Sequence, residues 1–422
     1  FTYATLISKN ADLCPDMGKI NKKIVTITMK IANRLNHIEP FHVMDLLARA
    51  KAMQAKGRDI IHLEVGEPDF SSPPPVIEAG IKALQQGLTH YTPATGLPEL
   101  REALAAFYGQ RYGKHVEANQ IIITPGASGA LQLITSLLVN PGENLLLTDP
   151  GYPCNRHFLA NINAQGALVK TSAQHGYHLT AQQAQQHWQE NTVGALIASP
   201  ANPTGGVMDE KQLTQLHAVV QGNGGSLIVD EIYHGLTYGV DAHTAVDLED
   251  VFIINSFSKY FTMTGWRLGW LVAPKWAIGG LDKLAQNLFL APSTPAQHAA
   301  LALFDDECIN TLEARRTEFS ERLEYLLPAL EELGFVIPVK PQGAFYIYAD
   351  IRAFSHDSMA FCQALLEEQG VAITPGIDFS PSEGQYFVRF AYTAPVPKLK
   401  QAVARIQSFL ERLNTQHVNE KS

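Results

Sequence analysis

Residues 256–270 read Ser256-Phe257-Ser258-Lys259-Tyr260-Phe261-Thr262-Met263-Thr264-Gly265-Trp266-Arg267-Leu268-Gly269-Trp270, with apolar residues on both flanks. Lys259 stands among small hydroxyl and aromatic residues. Apolar surroundings lower the pKa of a lysine because they disfavour its charged form. A neutral lysine amine is the group that traps a carbonyl compound as a Schiff base. Arg267 offers a fixed cation suited to a phosphate, and Ser256 and Ser258 offer hydroxyl donors to the same anion.

These features together are the layout that pyridoxal 5'-phosphate needs, because this cofactor carries a reactive aldehyde beside a phosphate. A structural interpretation is also open. In it, the stretch is a buried loop whose lysine extends its ammonium group to the surface, with Arg267 as a surface arginine. The stretch by itself leaves both interpretations standing, so the rest of the chain has to decide between them.

The composition is that of a globular enzyme, with 422 residues, of which 46% are hydrophobic and 17% charged. The net charge is −9, and the Lys and Arg residues are dispersed. This argues against nucleic acid or an anionic membrane as partners. Four dispersed cysteines (Cys14, Cys154, Cys308 and Cys362) form no Cys-x-x-Cys pair, so we expect reduced thiols and propose no metal ligand. With neither a transmembrane-length apolar run nor a signal-peptide pattern, we predict a cytoplasmic protein.

Short apolar strands alternate with helical segments, which predicts an α/β fold whose mostly parallel central sheet lies between helices. We predict a large domain over residues 73–295, which would bind the cofactor, and a smaller α/β domain over residues 296–422. Residues 29–72 are predicted to join the small domain, and residues 1–28 to form a poorly ordered extension. The predicted strands are 60–65, 121–123, 144–148, 168–171, 195–198, 227–230, 251–255, 336–339, 344–348 and 386–391. The predicted helices are 41–57, 76–86, 97–112, 130–138, 210–221, 307–333, 358–369 and 397–413.

Ligand sites in such sheets lie at the carboxyl ends of the strands. One predicted strand ends in the turn Gly126-Ala127-Ser128-Gly129 before a helix, where free N–H groups favour a phosphate; such turns also serve only as loops. Another ends in Asp230, which would keep a pyridine nitrogen protonated, or would only cap a turn.

Four further residues fit the same cofactor, each with a structural alternative. Tyr233 and Asn202 would donate hydrogen bonds to the phenolic oxygen of the ring, although Asn202 lies in a Pro/Gly loop. Tyr152 would stack on the ring, or would be a surface-loop tyrosine. Arg389 is a charge inside an apolar strand, and it would form a structural ion pair or bind a substrate carboxylate with both of its terminal nitrogens.

The order of these motifs resembles the class I and II aminotransferases of pyridoxal-phosphate fold type I, the aspartate aminotransferase superfamily. The resemblance runs from about Met29 to Leu413. It is carried by Gly66-Glu67-Pro68-Asp69-Phe70, Tyr91-Thr92-Pro93 with Gly96, Gly126-Ala127-Ser128, Asn202-Pro203-Thr204-Gly205, Asp230-Glu231-Ile232-Tyr233, Ser256-Phe257-Ser258-Lys259 with Gly265-Trp266-Arg267, and Arg389.

The resemblance implies a role for each matched residue. Lys259 would form the Schiff base and carry the proton between the substrate's α-carbon and the cofactor, with Asp230 and Tyr233 as its catalytic partners. Arg389 would bind the α-carboxylate. The remaining implied contacts are to the phosphate (Ala127, Ser128, Ser256, Ser258, Arg267), to the ring (Tyr152, Asn202), to the neighbouring subunit's phosphate (Tyr91) and near the substrate (Gly66, Asn202). The resemblance therefore implies a homodimer with shared sites that acts on amino acids and 2-oxo acids.

The choice of substrate is weakly encoded. No second cation for a side-chain carboxylate is evident, and the aromatic residues Phe41, Phe345 and Tyr346 near the expected pocket favour neutral or aromatic side chains. Two alternatives to transamination remain. One is a carbon–sulfur lyase with the same cofactor, against which the Gly-Trp-Arg sequence after Lys259 argues. The other is a non-catalytic ligand sensor, which would require a DNA-binding domain that residues 1–28 are too short to form.

Overall fold

The computed structural model describes residues 31–419, so the predicted extension at residues 1–28 lies outside the described residues. The strands are β1 Ile61–His62, β2 Ile121–Thr124, β3 Asn144–Asp149, β4 Gln165–Lys170, β5 Thr192–Ala198, β6 Ser226–Asp230, β7 Phe252–Ser256, β8 Gly269–Val272, β9 Tyr346–Asp350, β10 Val371–Ala372, β11 Thr374–Pro375 and β12 Phe387–Ala391.

The helices are α1 His42–Ala55, α2 Pro74–Gln85, α3 Pro98–Tyr112, α4 Gly126–Leu138, α5 Cys154–Asn161, α6 Ala181–His187, α7 Glu210–Gly222, α8 Ile278–Leu288, α9 Thr294–Leu301, α10 Asp306–Glu332, α11 Ser358–Gln369 and α12 Val396–Asn419. Every predicted helix is present. Within residues 31–419, no helix combines the length and the apolar character needed to cross a membrane.

The central sheet has seven strands in the order β2-β8-β7-β6-β5-β3-β4. Strands β3 to β7 run parallel to one another, and β8 is antiparallel to both of its neighbours. All residues of β2, β7 and β8 are buried, as expected for strands with both faces covered. The predicted fold class is confirmed. Because β2, β6 and β7 share a direction, their carboxyl ends meet at one edge of the sheet.

Strand β8 has no counterpart in the prediction, because its few apolar residues directly follow the Lys259 stretch and show no turn signal of their own. Its first residue needs to be glycine. A Cβ on Gly269 would lie 2.7 Å from the carbonyl carbon of Gly126 and 2.8 Å from the amide nitrogen of Ala127. The absence of a side chain at Gly269 therefore lets the beginning of α4 approach the sheet.

Two smaller sheets are built from the ends of the chain: β11-β12-β9 is antiparallel, and β1 pairs with β10 in parallel. The predicted strand at 336–339 is wrong, because Val336 is 59% exposed and forms only an isolated bridge with Asp350. The predicted strand at 60–65 shrinks to Ile61–His62, although the N–H of Leu63 still donates to the carbonyl oxygen of Ala372.

The domain boundaries remain a proposal. We retain 73–295 as the large domain and 29–72 with 296–422 as the small one. Two observations support this division. All strands of the seven-stranded sheet fall inside 73–295, and β1 pairs with β10 of the C-terminal part.

Candidate active site

A cavity of about 520 Å³ lies at the carboxyl edge of the central sheet. Twelve of the thirteen residues predicted for the site line it: Gly66, Ala127, Ser128, Tyr152, Asn202, Asp230, Tyr233, Ser256, Ser258, Lys259, Arg267 and Arg389. Tyr91 does not line it, and its side chain is 82% exposed. The cavity thus gathers residues that lie far apart in sequence.

Lys259 is held in the cavity by the loop that follows β7. Its Nζ donates a hydrogen bond to the carbonyl oxygen of Gly66 at 2.6 Å, and it lies 5.9 Å from the ring centroids of Tyr233 and Phe345. Desolvation, followed by the nearby Arg389 guanidinium, lowers the pKa of Lys259 to about 8. At pH 7 about a tenth of the amine is then neutral, far more than for an ordinary lysine, in the direction that its sequence context predicts.

Asp230 is the last residue of β6, with only 5% of its surface exposed. One carboxylate oxygen, Oδ1, accepts the N–H of Ile232 at 3.1 Å. Burial raises the pKa of Asp230 to about 7. A buried carboxylate of this kind is stabilised by a cationic partner, and a protonated ring nitrogen in the cavity would be one.

The first turn of α4 is the part of the cavity wall best suited to an anion. The structure corrects the predicted turn at 126–129 here, because α4 begins at Gly126 rather than at Ala130. The unpaired N–H groups of a helix's first turn, with the helix dipole, favour an anion. Ala127 and Ser128 stand in that turn. Gly126 has φ +68°, and a Cβ there would lie 2.6 Å from Nη2 of Arg267, so the glycine leaves room for the arginine.

Ser256 and Ser258, the two serines beside Lys259, line the same cavity as this turn. Ser256 and Ser258 are both buried, and the N–H of Ser258 donates to Oγ of Ser256 at 3.0 Å. Arg267 is exposed and has a left-handed backbone with φ +55°, and its Nη1 donates to the carbonyl oxygen of Thr264 at 3.1 Å. Two hydroxyls, one guanidinium and a helix N-terminus thus converge as a donor set for a phosphate.

Arg389 lies on β12, lines the cavity and is 3% exposed. Its Nη1 donates to Oδ1 of Asn202 at 2.8 Å, and its Nη2 donates to the carbonyl oxygen of Glu64 at 2.8 Å. The guanidinium lies between the rings of Tyr346 and Phe379, at 4.1 Å and 4.6 Å from their centroids.

No carboxylate among residues 31–419 is salt-bridged to Arg389, and its Nε has no hydrogen-bond partner there. The structural ion-pair alternative for Arg389 therefore has no support in the described part of the chain. A buried cation in this condition is suited to a ligand carboxylate.

The sequence interpretation missed part of the wall. Val43, Met44 and Leu47 of α1 line the cavity. The apolar spacing over residues 41–57 predicts a helix but gives no indication of what that helix covers. Tyr346 was noted only as an aromatic residue near the pocket. Its hydroxyl lies 2.8 Å from that of Tyr233, a contact between residues 113 positions apart that no local pattern reveals.

A larger cleft of about 910 Å³ lies elsewhere, beside Arg156 and His157. It includes neither Lys259 nor Asp230, so we do not assign the chemistry to it. In the described part of the chain, no group of three or more His, Cys, Asp or Glu residues is placed to hold a metal ion.

Comparison with known proteins agrees with this geometry. The family model for aminotransferase class I and II matches residues 58–406. The chain is 35% identical over 387 residues to the valine–pyruvate aminotransferase of Mycobacterium tuberculosis, covering 91% of this chain and 99% of that relative. It is 34% identical over 386 residues to the (5-formylfuran-3-yl)methyl phosphate transaminase of Methanocaldococcus jannaschii, covering 90% of this chain and all of the relative.

Solved structures give the same result. A crystal structure of an aminotransferase from Mycobacterium tuberculosis matches with a TM-score of 0.87 at 35% identity, covering 91% of this chain and 100% of the other. A mutant aspartate aminotransferase of Thermus thermophilus matches with a TM-score of 0.84 at 30% identity, covering 90% and 99% of the two chains. The chain therefore belongs to the class I and II aminotransferase family. It is a pyridoxal 5'-phosphate-dependent aminotransferase.

Proposed function

We propose that this enzyme moves the amino group of an L-amino acid with a neutral, largely apolar side chain to a 2-oxo acid, in a ping-pong cycle that depends on Lys259. The observation that carries the proposal is the arrangement in one cavity of a lysine of lowered pKa, a buried aspartate and an arginine without a salt-bridged carboxylate in the described chain. When bound, pyridoxal 5'-phosphate supplies the carbonyl that takes up the amino group and a ring that delocalises negative charge from the substrate's α-carbon.

The protein's own groups divide the remaining tasks. The first turn of α4 with Ser256, Ser258 and Arg267 would hold the phosphate. Asp230 would pair with the ring nitrogen. The resulting ion pair replaces the water that burial has removed from the carboxylate, so this pairing favours the ionised form of Asp230. Tyr152, Asn202 and Tyr233 border the same space and would orient the ring.

Lys259 acts as the base. Its pKa of about 8 is close to the value that suits a general base near neutral pH. In the structure Nζ is tethered to the carbonyl oxygen of Gly66, beside the segment whose Glu64 carbonyl binds Arg389. A substrate whose carboxylate binds Arg389 would therefore present its α-carbon to Lys259, and Nζ would accept the α-proton.

The substrate class follows from the charges on the cavity wall. The basic side chains of the described wall are Lys259, Arg267 and Arg389, and each already has a task. The side of the cavity formed by α1 is apolar, with Val43, Met44 and Leu47, and Phe41 is in edge contact with Tyr152 at 6.4 Å between ring centroids. An acidic substrate side chain would lose its hydration there without gaining a partner, so we propose neutral side chains.

Replacing Met44 with arginine tests this assignment, because Met44 lines the cavity while 55% exposed, so the long cationic side chain can be accommodated. We expect Met44→Arg to raise kcat/KM for aspartate or glutamate relative to leucine by about 10-fold or more. Met44→Gln, of similar length without charge, serves as the control and should leave the ratio unchanged. An unaltered ratio in Met44→Arg would contradict the placement of α1 beside the substrate side chain.

We further propose that two copies of the chain share their active sites in a homodimer. The exposed Tyr91 would reach the phosphate held by the neighbouring subunit, which agrees with its place outside the cavity of its own chain. A cytoplasmic location is also proposed, and the free thiols of Cys154, Cys308 and Cys362 support it.

Lys259→Ala tests the chemistry directly. The variant should keep its fold and bind pyridoxal 5'-phosphate non-covalently, but should lose transamination by several orders of magnitude, because the base is gone. Turnover similar to the wild type would overturn the proposed mechanism. The exposed lysine at position 340, with 70% of its side chain accessible, offers a matched Lys→Ala control that should retain full activity.

A further inference from the structure

Tyr233 and Tyr346 form a pair of hydroxyl groups in the cavity wall. Their oxygens are 2.8 Å apart, and the two side chains are 2% and 1% exposed. Tyr233 follows β6 just beyond Asp230, while Tyr346 begins β9. Both residues line the cavity that contains Lys259. No task in the proposed reaction has yet been given to the Tyr346 hydroxyl.

The protons of the two hydroxyls determine what this pair can do. Each hydroxyl carries one proton and accepts through its lone pairs. Burial raises the pKa of both tyrosines, so both keep their protons near neutral pH. Among residues 31–419, the only hydrogen-bond partner of the Tyr346 hydroxyl is the Tyr233 hydroxyl. The Tyr233 hydroxyl likewise has no other partner there, so whichever hydroxyl donates, the proton of the other is left for a ligand in the cavity. Tyr233 is the one that stands three residues beyond Asp230, the proposed partner of the ring nitrogen.

We propose that Tyr346 is a positioning residue: its O–H donates to the Tyr233 oxygen, and the proton of Tyr233 is thereby directed at the oxygen of a ligand in the cavity. The inference rests on the proposed function, in which Tyr233 borders the ring of pyridoxal 5'-phosphate. Chains of hydroxyl groups polarise one another, so donation by Tyr346 makes Tyr233 a stronger donor. The direction of the first hydrogen bond therefore sets the strength of the second.

The surroundings fix the Tyr346 hydroxyl in place. A Cβ on Gly66 would lie 2.0 Å from it, so the hydroxyl occupies the space that any other residue at position 66 would fill. The Arg389 guanidinium lies over the ring of Tyr346, 4.1 Å from its centroid. Removing the hydroxyl while keeping the ring should therefore isolate the effect on Tyr233 and leave the carboxylate-binding arginine in place.

Tyr346→Phe provides the test, read from the visible absorbance band of the enzyme loaded with pyridoxal 5'-phosphate as the pH is varied. A hydrogen bond donated to an ionised oxygen of the bound cofactor stabilises that oxygen. It therefore lowers the apparent pKa at which the visible band changes. Tyr233→Phe should therefore raise the apparent pKa strongly. Tyr346→Phe should raise it by less, on the order of 0.3 units, and should add nothing in the Tyr233→Phe background. If Tyr233 instead donates to Tyr346, Tyr346→Phe should lower the apparent pKa. The Tyr233 proton would then be free to bond to the ligand.

Tyr348→Phe is the matched control. Tyr348 is another buried tyrosine of β9, its hydroxyl has no hydrogen-bond partner in the described part of the chain, and it does not line the cavity. Its removal should leave the apparent pKa unchanged. Two charged groups, Asp230 and Arg389, act on the pKa of Tyr233. They and the neighbouring Lys259 are unchanged in all of these variants.

The outcomes separate this inference from the proposed function. A wild-type enzyme that shows no visible band with pyridoxal 5'-phosphate would contradict the role of Lys259 itself. A wild-type enzyme that titrates normally, with an unchanged or lowered apparent pKa in Tyr346→Phe, would overturn only the role of Tyr346. Full additivity of the two Tyr→Phe changes would also overturn it, because residues that act through one hydrogen bond cannot contribute independently.

Discussion

The buried carboxyl group of Asp230 lowers the stability of the cofactor-free protein. Burial raises its pKa from 3.8 to about 7 in the cofactor-free protein. Between these two pH values the folded chain holds a proton that the unfolded chain has released, so the stability contributed by this residue falls as the pH rises through the window. Above the folded-state pKa the cost no longer changes.

We therefore predict that Asp230→Asn stabilises the cofactor-free protein at pH 8, by a few kcal/mol at most as an order of magnitude. The gain should vanish near pH 4, where Asp230 is protonated in the folded state. Thermal melting at the two pH values measures it, with the exposed Asp241→Asn as the control. The same Asp230→Asn variant should lose most of its transaminase activity. A stability difference that is independent of pH would contradict the raised pKa.

Arg389 leads to a prediction about binding. Because its guanidinium bonds to Asn202 and the Glu64 carbonyl without a salt-bridged carboxylate in the described chain, we assign it to the substrate's α-carboxylate. Arg389→Ala should raise KM for the amino acid and the 2-oxo acid together, by about 10- to 100-fold. Arg389→Lys should recover only part of the loss, because it keeps the charge but not the paired donors.

Steady-state kinetics with both substrates varied would check this, and the Kd for pyridoxal 5'-phosphate should stay near the wild-type value. An unchanged KM for either substrate would remove Arg389 from the substrate site. A parallel loss of cofactor affinity would instead indicate damage to the cavity as a whole.

At the scale of elements, the beginning of α4 is the proposed phosphate site. Gly126 has a left-handed backbone, and an added Cβ would meet Arg267. We expect Gly126→Ala to weaken the binding of pyridoxal 5'-phosphate by about 10-fold or more, through backbone strain and displacement of the arginine. Equilibrium titration of the cofactor-free protein measures the Kd.

Gly109→Ala is the matched control for that experiment. Gly109 lies inside α3, has nothing within 4 Å of an added Cβ and has no left-handed backbone. The change should leave cofactor binding intact and slightly favour the helix. Equal effects of the two Gly→Ala changes on the Kd would contradict the placement of the phosphate at α4.

Local pattern predicted most elements because the apolar residues follow the period of the structure. In α1, Val43, Leu46 and Ala50 are buried as their helical spacing indicated. The strand predicted at 336–339 failed because hydrophobic composition does not reveal exposure, and Val336 points to solvent. The turn at Gly126 was misread because glycine signals a loop in sequence, although here it starts a helix where close contact excludes a side chain.

At the scale of the whole molecule, the proposed sharing of sites between subunits can be tested by complementation. Lys259→Ala subunits should be inactive, and Tyr91→Ala subunits should bind the cofactor weakly. If Tyr91 serves the neighbouring subunit, a mixed dimer of the two contains one site with both Lys259 and a partner Tyr91. Mixing the variants under conditions that exchange subunits should then restore activity above that of either variant alone.

Absence of such recovery, in mixtures shown to contain mixed dimers, would place Tyr91 outside the neighbouring site. Tagging the two variants differently and purifying the mixed species removes the uncertainty about exchange. The activity of that species should approach half that of the wild-type dimer, since one of its two sites is intact.

Some residues of the cavity could be predicted from the sequence, and others could not. Residues at the ends of strands, such as Asp230 and Ser256, were predictable because parallel strands bring their carboxyl ends together. The Tyr233–Tyr346 contact and the placement of α1 over the cavity depend on long-range packing between the sheets, which no local period encodes. The proposed preference for neutral side chains is argued from the placement of α1, so the sequence alone constrains it weakly.

A single half-reaction tests amino-group transfer through Lys259 most directly. The loaded enzyme is mixed with one L-amino acid at a time, without any 2-oxo acid, while its visible spectrum and released products are followed. We predict loss of the visible band with about one 2-oxo acid released per subunit, recovery of the band on adding a different 2-oxo acid, and stronger responses for neutral than for acidic side chains. Continuous release of ammonia and pyruvate with a persistent band would contradict transfer and indicate a lyase.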